Sequence, residues 1–204
     1  MRKPFLLLVI ALLGLTAAAQ TAPSQAKSGE QAAPAKPKAC SEIPKDEAKM
    51  KKPSPPACTD TKFSDGKMIT IEYSQPGMKG REVWGKLVPW DAVWRMGANE
   101  ATSFVTDTDL DVGGTKVPAG SYTLDLLPQQ NGPWKLIINK TTGNWGIPYP
   151  GAASDLARID MKTSQIPNTV ERFTMSLAPA KGSATTLSFE WEKTKASISI
   201  KEAR

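Results

Sequence analysis

From Thr61 onward the apolar residues of this chain recur at every second position, and that period confines residues 61–204 to sheets. In "KMITIEYS", residues 67–74, Ile69, Ile71 and Tyr73 alternate with Met68, Thr70 and Glu72; in "SYTLDLL", residues 121–127, Tyr122, Leu124 and Leu126 alternate with Thr123 and Asp125. The spacing returns at Trp134, Leu136, Ile138; at Ala157, Ile159, Met161; at Phe173, Met175, Leu177; at Leu187, Phe189, Trp191; and at Ile198, Ile200. Successive side chains of a strand point to opposite faces, so this alternation marks strands with one face in a core and one toward solvent. Weaker segments of the same kind lie near Phe104 and Leu110. Between the strands, Gly113-Gly114, Pro118-Ala119-Gly120 and Asn131-Gly132 provide the residues that tolerate positive φ in tight turns, which predicts antiparallel hairpins. No stretch after residue 60 sustains a helical period beyond about two turns. The expectation is an all-β chain with a single antiparallel β-sandwich domain over residues 60–204, long enough to bury a sandwich core.

The residues before position 60 have a different composition. Arg2 and Lys3 lead into an apolar run from residue 5, and Ala17, Ala18 and Ala19 match the small-residue pattern of a secretory cleavage site, which predicts a signal peptide over residues 1–19 cut before Gln20. The run is shorter than the roughly 20 residues a membrane-spanning helix needs. No cysteine stands at the cleavage point, so a lipid anchor is not expected, and after cleavage no membrane insertion is expected either. Residues 20–59 are rich in Pro, Lys and Ala and lack a sustained apolar period, a composition that predicts a flexible, disordered tether. Cys40 and Cys58, the only cysteines, both fall in this stretch, and in an exported chain they are expected to form a disulfide. With the core starting only after residue 60, a chain beginning at Thr59 is expected to fold by itself. The expected compartment is periplasmic or extracellular.

Charge and residue absences narrow the chemistry. The formal net charge is +6, but residues 20–59 carry seven Lys against four acids, and residues 60–204 hold 17 bases and 16 acids. The domain is therefore nearly neutral and shows no basic stripe of the kind nucleic acid requires. There is no histidine at all, which removes Ser-His-Asp and Cys-His catalysis and His-ligated metal sites. Neither a P-loop nor a GxGxxG run is present, and no metal or cofactor is called for.

One window resists the strand pattern. "VPWDAVWRMGANEATSF", residues 88–104, together with the Gly- and Pro-punctuated residues before it, brings Trp84, Trp90 and Trp94 into the same region as Arg81, Arg95, Asn99 and Glu100. That much aromatic area predicts an ordered, irregular cover packed on the sandwich. Charges carried inward need partners, so Arg95 is expected to be buried and paired with Glu100, or with Asp91, across a turn at Gly97-Ala98-Asn99.

The run "GREVWGKLVPWDAVWRMGANEAT", followed by "GGTKVPAGSYTL", "WKLIINKTTGNWG" and "DLARIDM", resembles the bacterial exported proteins grouped as the domain-of-unknown-function 2911 family, over residues 60–200. The resemblance implies an exported β domain and brings no catalytic or binding residues with it. Three functions stay open on the residues themselves. A structural or interaction domain would bury the aromatics and use the polar residues as a clamp. A ligand-binding module would use Trp84, Trp90, Trp94, Trp145 and Tyr149 as stacking faces and Arg81, Arg95, Asn99 and Glu100 as hydrogen-bonding groups, with a glycan, a peptide or an envelope protein as partner. A carboxylate hydrolase such as a glycosidase would draw on Glu100, Asp91, Asp155 or Asp160.

Overall fold

A computed structural model describes residues 35–203. Ten strands form two antiparallel sheets: β1 (Pro56–Lys62), β2 (Met68–Ser74), β3 (Thr102–Thr106), β4 (Leu110–Val112), β5 (Thr115–Val117), β6 (Gly120–Leu127), β7 (Lys135–Asn139), β8 (Asp155–Asp160), β9 (Lys162–Leu177) and β10 (Ala184–Glu202). A six-stranded sheet runs β1-β2-β3-β6-β7-β8, and a four-stranded sheet runs β5-β4-β10-β9. The chain is an all-β sandwich. Gly113 and Gly114, at φ 57° and 91°, make the two-residue turn that joins β4 to β5.

The core sits where the alternation predicts it. Ile69, Ile71 and Tyr73 of β2, Leu124 and Leu126 of β6, Leu136 and Ile138 of β7, and Leu187, Phe189 and Trp191 of β10 are all buried. Aromatic rings fill the centre: Trp94 stacks on Trp191 at 5.4 Å between centroids and meets Phe173 edge-on at 5.0 Å. Tyr73 crosses between the sheets, its hydroxyl donating to the Met175 carbonyl and accepting from the Met175 N–H.

The segment between β2 and β3 is an ordered cover. Val83, Val88 and Met96 are buried, and single backbone bridges tie Gly77 to Arg172 and Trp94 to Leu126. Lys79, Asp91, Met96 and Asn99 adopt positive φ, so the path is set by turns and not by any strand period.

Two expectations need correction. Two of the expected strands, around Phe189 and around Ile198, are one continuous strand, β10. The larger correction concerns the tether. Its residues 20–34, and the expected signal peptide, lie outside the described residues, but residues 35–59 do not hang free. Pro56 to Thr59 lie in β1, paired with β2 in the register Pro56↔Ser74 to Thr59↔Ile71. The Cys40–Cys58 disulfide, with Cα atoms 5.7 Å apart, clips the preceding segment to that strand. The Lys38 carbonyl accepts from the Thr70 hydroxyl at 2.6 Å, the Pro53 carbonyl from Arg172 at 3.1 Å and the Ser54 carbonyl from Asn99 at 2.9 Å. Proline-rich composition hides this ordering, because the segment is held by its backbone carbonyls and a disulfide and not by apolar side chains. Among the described residues, no helix is long and apolar enough to cross a membrane.

Candidate functional site

The nine residues expected to share a site are distributed over several places. Arg81 caps its own turn, donating to the Met78 and Gly77 carbonyls at 2.9 and 3.1 Å. Trp94 is core. Asn99, at φ 59°, donates to the Ser54 carbonyl and the Ser74 hydroxyl. Glu100 pairs with Lys49 at 3.2 Å. Tyr149 donates to Asp155 and accepts from Arg158.

Arg95 is a clamp, with other partners than expected. Its Nη1 donates to the Asn99 carbonyl at 2.7 Å and the Trp145 carbonyl at 3.0 Å, and its guanidinium carbon lies 6.0 Å from the centre of the exposed Trp145 ring. Gly146 fits against it where a Cβ would stand 2.9 Å from the Arg95 Cβ. Burial lowers the guanidinium's pKa, and Glu100 acts in the opposite sense through space only. Neither Glu100 nor Asp91 forms an ion pair with Arg95. The turn at residues 97–99 does bring residue 99 back to Arg95, but it delivers a backbone carbonyl where a carboxylate was expected. Arg95→Ala is therefore expected to cost about 2–3 kcal/mol through two lost charge-assisted hydrogen bonds. Glu100→Gln is expected to cost less than about 1 kcal/mol, as for an exposed pair, and the two are expected to add. Thermal unfolding of the single and double variants checks this; coupling above about 1 kcal/mol would restore the Arg95–Glu100 pair.

Trp84 and Trp90 meet elsewhere, at an open cleft of about 540 Å³ whose walls include Trp84, Trp90, Trp134, Glu82, Gln165 and Glu192. Its origin lies in the pairing of β9 with β10. Thr194 pairs with Gln165 and Glu192 with Val170, so four residues of β9 stand opposite the single Lys193 of β10. Such a bulge bends the strands apart and re-aims side chains. At its apex Glu192 takes φ 56°, a conformation costly for a residue with a side chain, and its carboxylate accepts from the Val83 N–H at 3.4 Å. Trp84 is packed 4.4 Å from Trp134, and Trp90 stands 5.9 Å from Trp134. Trp90 lies directly over Gly85, where a Cβ would be 2.3 Å from its indole nitrogen, so any other residue there would push the ring away. Although Trp84 is only 6 % exposed, its Nε1–H has no acceptor.

Residue reasoning placed Trp84 and Trp90 in a site but missed Glu82, Trp134, Gln165 and Glu192. A signal for the bulge does exist. Inward residues of β10 are odd-numbered up to Trp191 and even-numbered from Thr194 to Ile200, and a period-two strand can change parity only through an extra residue.

Residues 54–200 match the sequence model of a family described as "Protein of unknown function (DUF2911)". The chain belongs to the DUF2911 family. The match starts two residues before β1, which places that strand inside the DUF2911 unit. No curated protein and no solved structure matches the chain.

This DUF2911 domain has a second polar cluster, on the outer face of the six-stranded sheet. Thr123, Asn139 and Asp155 form one cross-strand row; Asp125, Ile137 and Arg158 form the next. Asp155 accepts from Asn139, Tyr149 and the Arg158 Nε. Asp125 is 1 % exposed, and its Oδ2 meets no hydrogen-bond partner. Burial, and secondarily Asp155, push its pKa up to about 7. Titratable groups this perturbed mark functional sites often. Here the carboxyl is sealed from solvent, whereas Glu192 faces an open cleft, so the cleft is the better candidate for meeting a ligand. Of the four carboxylates considered for hydrolysis, Glu100, Asp155 and Asp160 are each paired with a base, and Asp91 is exposed.

Proposed function

We propose that this protein is an exported binding module whose cleft at the β9–β10 bulge takes a glycan. Export rests on the N-terminal sequence and agrees with the Cys40–Cys58 disulfide, a bond that persists in oxidising compartments. The observation that carries the binding reading is Glu192. A left-handed backbone is maintained at the bulge, and the carboxylate it directs lies in a cleft bordered by three indoles. Indole surface paired with carboxylates, side-chain amides such as Gln129 and Gln165, and hydroxyls such as Thr163 is the mixture that recognises an alternately apolar and hydroxylated sugar ring.

Titration of tryptophan fluorescence with soluble β-linked hexose and hexosamine oligosaccharides tests this. Trp90→Ala and Gln165→Ala are expected to weaken binding at least about tenfold, equivalent to about 1.4 kcal/mol, with Gln165→Ala leaving the melting temperature unchanged because that side chain is exposed. Saturable binding that both variants retain in full would move the site elsewhere; absence of binding to every oligosaccharide would defeat the reading.

A further inference from the structure

We infer that the cleft selects an ammonium-bearing ligand, an amino sugar with a free amine, over its neutral or acylated counterpart. This rests on the glycan reading and names the feature of the glycan that is recognised. Glu82 and Glu192 both line the cleft, and neither takes part in an ion pair: the ion pairs of the described residues are Lys49–Glu100, Lys135–Asp160, Arg158–Asp155 and Lys195–Glu190. Among the described residues, the only hydrogen bond to the Glu192 carboxylate is the long one from Val83 N–H, through Oε1, which leaves Oε2 uncommitted. Lys193 is the single base on the rim, so carboxylates outnumber bases two to one. The domain itself is close to neutral, so this local excess of negative charge belongs to the cleft and not to the whole surface.

The indoles act in the same direction. The negative face of an aromatic ring attracts a cation, most strongly for tryptophan, and of the three tryptophans at this cleft Trp90 keeps exposed surface while Trp84 and Trp134 back it from the core. A carboxylate that accepts from an ammonium makes a charge-assisted hydrogen bond, whereas the same carboxylate facing an N-acetyl group gains only a neutral amide donor. The lining also holds side-chain amides and a hydroxyl, from Gln129, Gln165 and Thr163, that can donate to the hydroxyl and ring oxygens a sugar carries one or two atoms from its amine. Ammonium, ring oxygen and apolar ring face together describe a hexosamine unit.

The test compares β-1,4-linked glucosamine oligomers with N-acetylglucosamine oligomers of the same length on the intact protein, at a pH below neutrality where the amine is charged. The glucosamine oligomer is expected to bind at least tenfold more tightly. Its advantage is expected to shrink in Glu192→Gln and Glu82→Gln and to fall with added salt. Equal affinity for the two oligomers in the parent protein overturns the ammonium inference and leaves the glycan reading intact. An advantage that survives both substitutions overturns the assignment to these carboxylates. No binding of either oligomer overturns both readings together. Glu82→Gln, on an exposed side chain, serves as the variant whose fold is not in question should Glu192→Gln perturb the bulge.

Discussion

Asp125→Asn is expected to stabilise the protein above neutral pH by about 4 kcal/mol and to change its stability little near pH 4. The folded-state pKa of Asp125 is pushed up to about 7 from an ordinary 3.8, by burial first and by Asp155 second. Between those values the unfolded chain has released the proton while the folded protein still holds it, so the unfolded state binds fewer protons and stability falls as pH rises. The loss begins near pH 4 and levels off above about pH 7. Asparagine has no charge to desolvate and removes this slope. The difference between parent and variant isolates the Asp125 contribution. Urea unfolding of both from pH 4 to 8.5 measures it; parallel curves would show that Asp125 is ionised and solvated in the folded protein.

A chain that begins at Thr59 is expected to be less stable by about 3–5 kcal/mol, lowering the melting temperature by roughly 10 °C. Such a truncation removes the first half of β1, with its pairs to Ser74, Tyr73 and Glu72, and the carbonyls that receive Thr70, Asn99 and Arg172. Each lost hydrogen bond counts for about 1 kcal/mol. It also exposes the edge of β2 at Glu72, Tyr73 and Ser74, of which Tyr73 and Ser74 are buried in the intact protein. A chain beginning at Ala35 is expected to melt with the full-length protein. In that chain, replacing Cys40 and Cys58 by Ser is expected to cost about 3 kcal/mol, the value for closing a loop of this size between two natively ordered ends. Equal melting of the chains starting at Ala35 and Thr59 would mean that the contacts of residues 35–58 contribute nothing net to folding.

Local chemistry determined the class of fold. Alternation at Ile69, Ile71 and Tyr73, or at Leu124 and Leu126, defines an inner and an outer face without reference to any other part of the chain, because strand geometry itself has period two. The indole-rich residues after Ser74 could likewise be read as a cover, since exposed indole is costly and strand period was absent. Composition misled at residues 35–59. A segment held by backbone carbonyls and one disulfide carries no apolar signature, and only the positions of Thr70, Asn99 and Arg172 in the folded sheets show where those carbonyls go.

The site depended on tertiary structure still more. Arg95 and Glu100 are opposite charges five residues apart, yet the turn between them presents the Asn99 carbonyl to the guanidinium and turns Glu100 toward Lys49. Glu82 and Glu192 are 110 residues apart in sequence, and they line one cleft only because the bulge opposite Val170 bends two strands and the segment around Val83 packs across them. The parity change along β10 records that a bulge exists; nothing in the linear sequence records which distant segment fills the space it opens. Asp125 shows the same division. Alternation places it on the outer face, where an aspartate normally meets water, and only the packing above that face buries it beside Asp155. Periodicity is a property of neighbouring residues and can be read from them, whereas burial of a charge depends on what the rest of the chain places over it.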